Sequence, residues 1–195
     1  RAGYPCCIHN EAANSFDHDV LKRQGLPENT KIVVYSPTYR DASATEFFGK
    51  AIQDMDRLVE VLEKNGMLLI FKMHPQMMKD RKYNEAMERY KACNRLMFWD
   101  NQDDIYEVFD QIDIAIIDYS SIFYDMLAGG VKHFIRYMFD IDDKNNLRDF
   151  VFDVKEMTCG YDCNNFDELL DALDHSDVCL QEDEDRKSEI YDLFW

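Results

Sequence analysis

The strongest constraint on the fold is an alternation of short apolar runs with longer segments of helical periodicity. Strands are predicted at residues 31–36, 67–73, 96–99, 113–117 and 133–136. Each of the first four runs is followed by a loop and then by a helix-period segment. Strands that alternate with helices favour a parallel sheet connected by right-handed crossovers. We therefore expect an α/β fold, a Rossmann-like parallel sheet with helices on both faces.

The intervening helices are predicted at residues 45–65, 82–92, 103–111 and 121–128, with a last helix at 185–194. Gly66 is expected to end the first helix, and Gly129 and Gly130 the fourth. Asn165 with Glu168 three residues later is typical of a helix N-terminus. It predicts a further helix whose inward residues are Phe166, Leu169, Leu170 and Leu173.

Charge and composition exclude several classes of protein. The 195 residues carry a net charge of −17, with a net of −10 in residues 162–192 alone. Such a chain is repelled by nucleic acid and by anionic lipid, so we expect no nucleic-acid partner. The length suits a single domain, and the apolar runs are too short to span a membrane. Because the sequence begins at Arg1 rather than Met, we interpret it as a fragment of a longer protein.

The cysteine pattern indicates a reducing compartment rather than a metal site. Six cysteines are present without a recognisable secretion signal, so reduced thiols and a cytoplasmic location are expected. Cys159 and Cys163 have no second Cys or His pair nearby to complete a zinc site. We expect neither a metal nor a cofactor.

Polar residues follow four of the five predicted strands, where ligands bind in open parallel sheets. After the fourth strand the chain enters a short helix through Ser120 and Ser121. Their hydroxyls, with the first free N–H groups of the helix, would suit a diphosphate. An equally simple interpretation is that one of these serines only caps the helix.

Three further residues are candidates for binding phosphate. His74 follows the second strand, and Pro75 favours an extended conformation for it. Its imidazole could donate to a phosphate oxygen, although a lone histidine is often structural. Arg40 and Arg136 could supply positive charge, or could be ordinary surface arginines. Glycine-rich nucleotide loops and a hydrolase elbow are absent from the sequence.

The ordered motifs resemble those of the CDP-glycerol glycerophosphotransferases of teichoic-acid synthesis. The resemblance covers almost the whole chain, and the residues that carry it form the segments 3–5, 35–41, 72–75, 118–125 and 150–160. Enzymes of this family are similar to GT-B glycosyltransferases, which have two Rossmann-like halves. The chain is similar to the second half, so residues 1–195 are expected to form one nucleotide-donor-binding domain. The resemblance implies that the half with the catalytic base is absent and that the fragment binds donor without turning it over.

The resemblance also implies roles for individual residues. His74 would neutralise the diphosphate and the departing CMP, and Ser120 and Ser121 would hold the phosphates. The other residues implied to bind substrate are Thr38, Arg40, Asp118, Arg136 and Glu156. The implied partners are CDP-glycerol, or a related CDP-alcohol, as donor and a lipid-linked polymer acceptor reached through the other half. The full-length protein would work in the cytoplasm at the inner face of the membrane.

Departures from the family pattern leave the donor open. Cys6 and Cys7 stand where the family has an arginine, and Thr158 and Cys159 precede Gly160 where the family has a proline. CDP-ribitol is one alternative, and a GT-B transferase using a UDP- or GDP-sugar is another. A flavodoxin-like signalling domain, with Asp41 or Asp118 as an acidic site, is a third alternative from a different class.

Overall fold

A single sheet of six parallel strands organises the part of the chain that the structure describes. The structure is a computed structural model, and it describes residues 19–40, 46–99, 104–142, 153–181 and 184–194. The strands are β1 Lys31–Tyr35, β2 Met67–Lys72, β3 Leu96–Trp99, β4 Ile114–Ile117, β5 His133–Tyr137 and β6 Tyr161–Cys163. They lie in the order β3-β2-β1-β4-β5-β6, and every neighbouring pair is parallel. The predicted fold class is therefore confirmed.

Short helices connect the strands. They are α1 Val20–Gln24, α2 Phe47–Ala51, α3 Met55–Lys64, α4 Arg81–Tyr90, α5 Ile122–Ala128, α6 Val154–Met157, α7 Phe166–Asp174, α8 Ser176–Cys179 and α9 Glu184–Phe194. Two 3₁₀ helices add to them, at Met77–Lys79 and Ile105–Gln111. In the described residues, no helix is both long enough and apolar enough to cross a membrane.

The side chains of the central strands alternate between two hydrophobic cores, one on each face of the sheet. Val33 and Tyr35 of β1 point into one core, which α2, α3, α4 and α7 cover. Ile32 and Val34 point into the other, which α1, α5, α9 and the second 3₁₀ helix cover. Burial on both faces explains why β1 is a continuous apolar run and not an alternating one.

The prediction of a single helix over residues 45–65 is wrong. Ile52 adopts an extended backbone, with φ −117° and ψ 91°, and separates α2 from α3. Asp54 then caps α3 by accepting a hydrogen bond from the Arg57 N–H at 3.1 Å. The apolar period continues across this break because Ile52 is buried on the same face, so periodicity alone conceals it. Gly66, at φ 62°, follows α3 as predicted.

The other predicted elements differ from the structure mainly at their ends. The segment predicted as a helix near residues 103–111 is the 3₁₀ helix Ile105–Gln111. Strand β6 has only three residues, too few for a sequence pattern, and it is an element that the sequence did not predict. The Asn165 cap is confirmed, because its side chain accepts from the Glu168 N–H at 2.9 Å. The four predicted inward residues of α7 are buried.

Several sequence motifs lie outside the described residues. These are the segment 3–5, Cys6 and Cys7, Asp41, and residues 143–152 of the loop and motif after β5.

The close packing between β5 and the residue that precedes β6 can be tested at Gly160. Its φ is +134°, and a Cβ there would lie 2.6 Å from the backbone oxygen of Phe134. Gly25 also has a positive φ, +64°, but a Cβ there meets nothing within 4 Å. We expect Gly160→Ala to lower the free energy of unfolding by about 3 kcal/mol and Gly25→Ala by about 1 kcal/mol. Urea titrations followed by circular dichroism measure both, and equal losses would contradict the close packing at Gly160.

Candidate functional site at the β1–β4 strand ends

The strand order creates a crevice between the ends of β1 and β4. From β1 the chain continues to β2 on one side, and from β4 it continues to β5 on the other. The two strands are paired where they end, since the Ser36 N–H donates to the Ile116 carbonyl at 3.0 Å. In doubly wound sheets, ligands bind at this point of reversal, beyond the carboxyl ends of the strands. The loops after β1 and β4 therefore form the first candidate for a binding site.

A buried arginine joins the ends of three strands at this crevice. Arg40, after β1, is fully buried and forms two hydrogen bonds with Asp140, after β5, from Nε at 2.8 Å and from Nη2 at 2.9 Å. Its Nη1 donates to Asp118, after β4, at 2.8 Å. The same Nη1 donates to the Thr38 carbonyl at 2.6 Å. We call Arg40, Asp118 and Asp140 the ion cluster.

Asp118 uses the remainder of its carboxylate to hold the loop after β1. Its Oδ2 accepts from the Thr38 N–H at 2.9 Å, and its Oδ1 accepts from the Thr38 hydroxyl at 2.6 Å. Only 1% of the Asp118 side chain is exposed. Thr38, Arg40 and Asp118, three of the predicted site residues, are therefore brought together by direct contacts.

Aromatic rings cover the guanidinium. The Arg40 Cζ lies 4.4 Å from the centre of the Tyr119 ring and 5.0 Å from that of Phe47. Burial acts to lower the pKa of Arg40, but its hydrogen bonds to Asp140 and the charge of Asp118 outweigh it and raise the pKa. Arg40 is therefore a fixed cation whose charge is directed to two carboxylates and two rings.

His74 lies exposed at the end of β2, beside the ion cluster. Its Nδ1 accepts a hydrogen bond from the Gln76 N–H at 3.2 Å, so in the neutral ring the proton is on Nε2. The ring of Tyr39 packs against the imidazole, with centroids 4.9 Å apart and planes inclined by 33°. His74 thus presents Nε2–H as a hydrogen-bond donor at the strand edge.

The two serines follow the ion cluster directly. Ser120 Oγ accepts from the Ile122 N–H at 3.4 Å, which makes it a weak cap of α5. Ser121 occupies the N-cap position but makes no side-chain cap bond, and it is exposed. The capping interpretation therefore describes Ser120 better than Ser121. Tyr119, which stacks on Arg40, connects both serines to the ion cluster through the backbone.

Arg136 and Glu156 belong to a second group of contacts, around β5, α6 and β6. Arg136 Nε lies 2.7 Å from Asp162 Oδ1, and the two residues are paired in the register of β5 with β6. Its Nη1 donates to Thr158 Oγ1 at 3.3 Å. Glu156 lies in α6, in the same segment as Thr158, and is exposed. Asp162 also lies 3.2 Å from Lys155 Nζ through its Oδ2, so this one carboxylate is shared between two cations.

Sequence reasoning did not select Asp140, Tyr39 or Tyr119 as functional residues. Asp140 was visible as an acidic residue three positions after β5, and an arginine after β1 was its natural partner. The pairing could not be inferred because the two residues are 100 positions apart in sequence. Tyr39 and Tyr119 lie within the segments 35–41 and 118–125 that carry the resemblance, but no signal in the sequence indicated an individual role for either ring.

The contacts of Asp118 argue against the signalling-domain alternative. Both carboxylate oxygens are engaged within the ion cluster, and the side chain is 1% exposed. A phosphorylated or magnesium-binding aspartate needs an accessible oxygen. Cys159 and Cys163 are buried thiols, and burial raises the pKa of Cys163 to about 12. Among the described residues, no group of three or more His, Cys, Asp or Glu is placed to hold a metal ion.

A cavity of about 320 Å³ lies at the opposite edge of the sheet. It is lined by residues at the amino ends of β1, β4 and β5 together with α8. Its charged groups pair with nearby groups of opposite sign. Lys31 Nζ lies 2.6 Å from Asp177, and Lys132 Nζ lies 2.5 Å from Asp113. The position at the amino ends and these internal pairs make it a weaker candidate than the crevice at the carboxyl ends.

Fold and site together define a Rossmann-like α/β domain with a polar crevice at the point where the strand order reverses. A family model, CDP-glycerol:poly(glycerophosphate) glycerophosphotransferase, matches residues 2–195. The chain therefore belongs to this family, as its motifs suggested.

Individual relatives agree with the family match. Teichoic acid ribitol-phosphate polymerase TarK of Staphylococcus aureus is 33% identical over 75% of this chain and 28% of its own length. A teichoic acid poly(glycerol phosphate) polymerase of Bacillus spizizenii is 29% identical over 99% of this chain and 48% of its own length. The wall teichoic acid polymerase TagF has a similar structure, with a TM-score of 0.70 and 25% identity over 90% of this chain and 42% of that chain. The chain thus spans less than half the length of these relatives.

The ion cluster predicts that replacing Arg40 lowers the free energy of unfolding far more than replacing a surface arginine. Arg40→Met leaves two buried carboxylates without their cation, so we expect the free energy of unfolding to fall by about 3–5 kcal/mol. Arg57→Met is the matched control, because Arg57 pairs with Asp167 on the surface, where the side chains are 53% and 77% exposed. The control should cost less than about 1 kcal/mol. Urea unfolding measures both, and a loss for Arg40→Met as small as the control would show that the cluster is not buried as described.

Proposed function

We propose that this chain is the donor-binding domain of a glycerophosphotransferase. In this proposal it binds CDP-glycerol at the β1–β4 crevice, in an enzyme that transfers glycerol phosphate to a teichoic-acid-like polymer and releases CMP. The observation that carries the proposal is that His74, Ser120 and Ser121 adjoin the loops that the ion cluster holds, His74 through Tyr39 and the serines through Tyr119, at the sheet edge where nucleotides bind in this fold. Membership of the family supports it.

The local charge decides how a diphosphate would be held. The ion cluster contains one cation and two carboxylates, and Arg136 is paired with Asp162. At the ion cluster a diphosphate therefore meets no surplus of positive charge, whereas Arg136 and Lys155 share the single carboxylate of Asp162. We infer that it is held by Nε2–H of His74 and the hydroxyls of Ser120 and Ser121. Arg40, Asp118 and Thr38 then act by positioning the loops that present these donors.

His74 would act on the phosphate group that becomes charged as the donor reacts. The acceptor hydroxyl attacks the phosphorus that carries glycerol, a new P–O bond forms, and the P–O bond to CMP breaks. The bonding electrons pass to the CMP oxygen, where negative charge develops. A hydrogen bond from Nε2–H to that phosphate stabilises the charge in the transition state. Ser120 and Ser121 would hold the remaining phosphate oxygens in line.

The remainder of the reaction would lie in another part of the full-length protein. We propose that the catalytic base and the lipid-linked acceptor are supplied there, and that Glu156 and Arg136 of this chain lie near the nucleotide's sugar. The enzyme would work in the cytoplasm at the inner membrane face. The acidic surface of residues 162–192 suits a face turned away from anionic lipid.

The alcohol of the donor has a second candidate. TarK and TarL of Staphylococcus aureus, both ribitol-phosphate polymerases, are 33% and 31% identical to the chain. A CDP-ribitol donor would use the same diphosphate and cytidine contacts, so the two donors differ only at the alcohol. A binding comparison of CDP-glycerol with CDP-ribitol separates them.

The proposal predicts both a nucleotide preference and a role for His74. By calorimetric titration, the chain should bind CDP-glycerol or CDP-ribitol, and CDP, in preference to UDP and GDP. His74→Ala should weaken donor binding by about tenfold or more, because a hydrogen bond to a charged phosphate is lost. It should leave the melting temperature unchanged, since His74 is exposed.

His175→Ala is the matched control. His175 is another exposed histidine, located at the C-terminal end of α7, away from the carboxyl edge of the sheet. Its replacement should not change donor affinity. A preference for UDP or GDP would instead support the alternative of a GT-B transferase that uses a sugar nucleotide. Absence of binding by every cytidine nucleotide at millimolar concentration would contradict donor binding by this domain.

A further inference from the structure

Tyr39 lies between two anchored residues of the loop after β1. On one side, Thr38 donates its N–H and its hydroxyl to Asp118 at 2.9 and 2.6 Å. On the other side, the Arg40 side chain is fully buried in the ion cluster. The backbone of Tyr39 is therefore fixed from both directions, and its half-buried side chain has a defined direction.

That direction places the Tyr39 ring against His74. Strands β1 and β2 are paired up to Tyr35 and Phe71, so the residues that follow each strand are neighbours at the same edge. The two rings are 4.9 Å apart between centroids and inclined by 33°, a geometry within the range of favourable aromatic pairs. On the His74 imidazole, Nδ1 accepts from the Gln76 N–H at 3.2 Å.

We propose that Tyr39 is a positioning residue for His74, and that it transmits the rigidity of the ion cluster to the exposed imidazole. The Tyr39 ring holds the plane of the imidazole so that Nδ1 meets the Gln76 N–H and Nε2–H points outward. This inference rests on the proposed function for its effect on donor binding, but the positioning itself is a property of the free protein.

Positioning by Tyr39 affects binding because the His74 side chain is exposed. A histidine side chain has two rotatable bonds, and fixing an exposed side chain costs conformational entropy at the moment of binding. A ring already held by stacking and by a backbone hydrogen bond has lost that freedom before the donor arrives. Pre-organisation of this kind improves affinity without adding a contact to the ligand.

Tyr39→Leu removes the aromatic ring while keeping apolar bulk, and Tyr39→Phe keeps the ring while removing the hydroxyl. The first readout is the ¹⁵N and ¹H NMR spectrum of the His74 imidazole in the 195-residue chain without ligand. Its signals are identified by their loss in His74→Ala. We expect the wild type and Tyr39→Phe to show the Nε2–H form and ring-current-shifted carbon-bound protons. Tyr39→Leu should show a mixture of tautomers and lose the ring-current shift.

The second readout is the affinity for CDP-glycerol in a double-mutant cycle. Tyr39→Leu should raise Kd by about two- to tenfold in the wild-type background, the range expected of an aromatic pair. In the His74→Ala background the same substitution should change Kd by less than about twofold, because the residue that it positions is gone. Tyr39→Phe, which keeps the aromatic ring, should bind CDP-glycerol with wild-type affinity.

Tyr90→Leu is the matched control. Tyr90 is also half-buried, and it lies at the C-terminal end of α4, away from the carboxyl edge where His74 lies. Its replacement should leave the His74 signals and the Kd unchanged. Melting temperatures of all variants show whether a general loss of structure accounts for any effect.

Two results would overturn the inference. His74 signals that are the same in Tyr39→Leu as in the wild type would show that the ring does not hold the imidazole. Equal weakening by Tyr39→Leu in both backgrounds would show that Tyr39 contacts the donor itself. If no variant binds any cytidine nucleotide, the proposed function fails, and the NMR comparison in the free chain still decides whether Tyr39 positions His74.

Discussion

One guanidinium, enclosed by two carboxylates, holds three strand ends of this domain in register. Arg40 follows β1, Asp118 follows β4 and Asp140 follows β5, and the bonds among them measure 2.8–2.9 Å. Removal of the cluster's one cation, Arg40, leaves two carboxylates without compensation at a buried position, a penalty of several kcal/mol. The loops at this edge are therefore tied to one another through the cluster rather than free to move separately.

This constraint shapes the chemistry available at the crevice. Because Arg40 is occupied internally, the groups that we propose to meet an anion at this crevice are an imidazole N–H and two hydroxyls. His74 is connected to the cluster through its ring contact with Tyr39, and the serines are connected through the backbone of Tyr119, whose ring packs on Arg40. In the proposed site, the charges that hold the loops together are thus separate from the groups that would face the ligand.

Much of the fold could be predicted from the sequence, because the strands are buried on both faces and appear as uninterrupted apolar runs. The β1 run from Lys31 and the α7 cap at Asn165 are examples in which local chemistry determines the structure. The break at Ile52 escaped prediction because a buried residue in an extended conformation preserves the helical period. Strand β6 escaped because three residues carry no period.

The candidate site, like the fold, could be predicted from the sequence only in part. Residues 38, 40, 74 and 118–121 could be placed at one edge of the sheet from the rule for parallel strands, and the structure places them there. Their pairing could not be predicted. Whether Arg40 faces a phosphate or a carboxylate depends on Asp140, which is 100 residues further along the chain. No local pattern records a contact between residues so far apart, and only the assembled sheet brings them together.

That separation has a consequence during synthesis of the chain. Arg40 leaves the ribosome 100 residues ahead of Asp140, an interval of roughly 5–20 s at ordinary rates of translation. Throughout that interval the guanidinium lacks the carboxylate that engages two of its nitrogens. The nascent loop after β1 therefore lacks one of its anchoring partners until Asp140 has been synthesised. The complete crevice forms only once β5 and the residues after it have emerged.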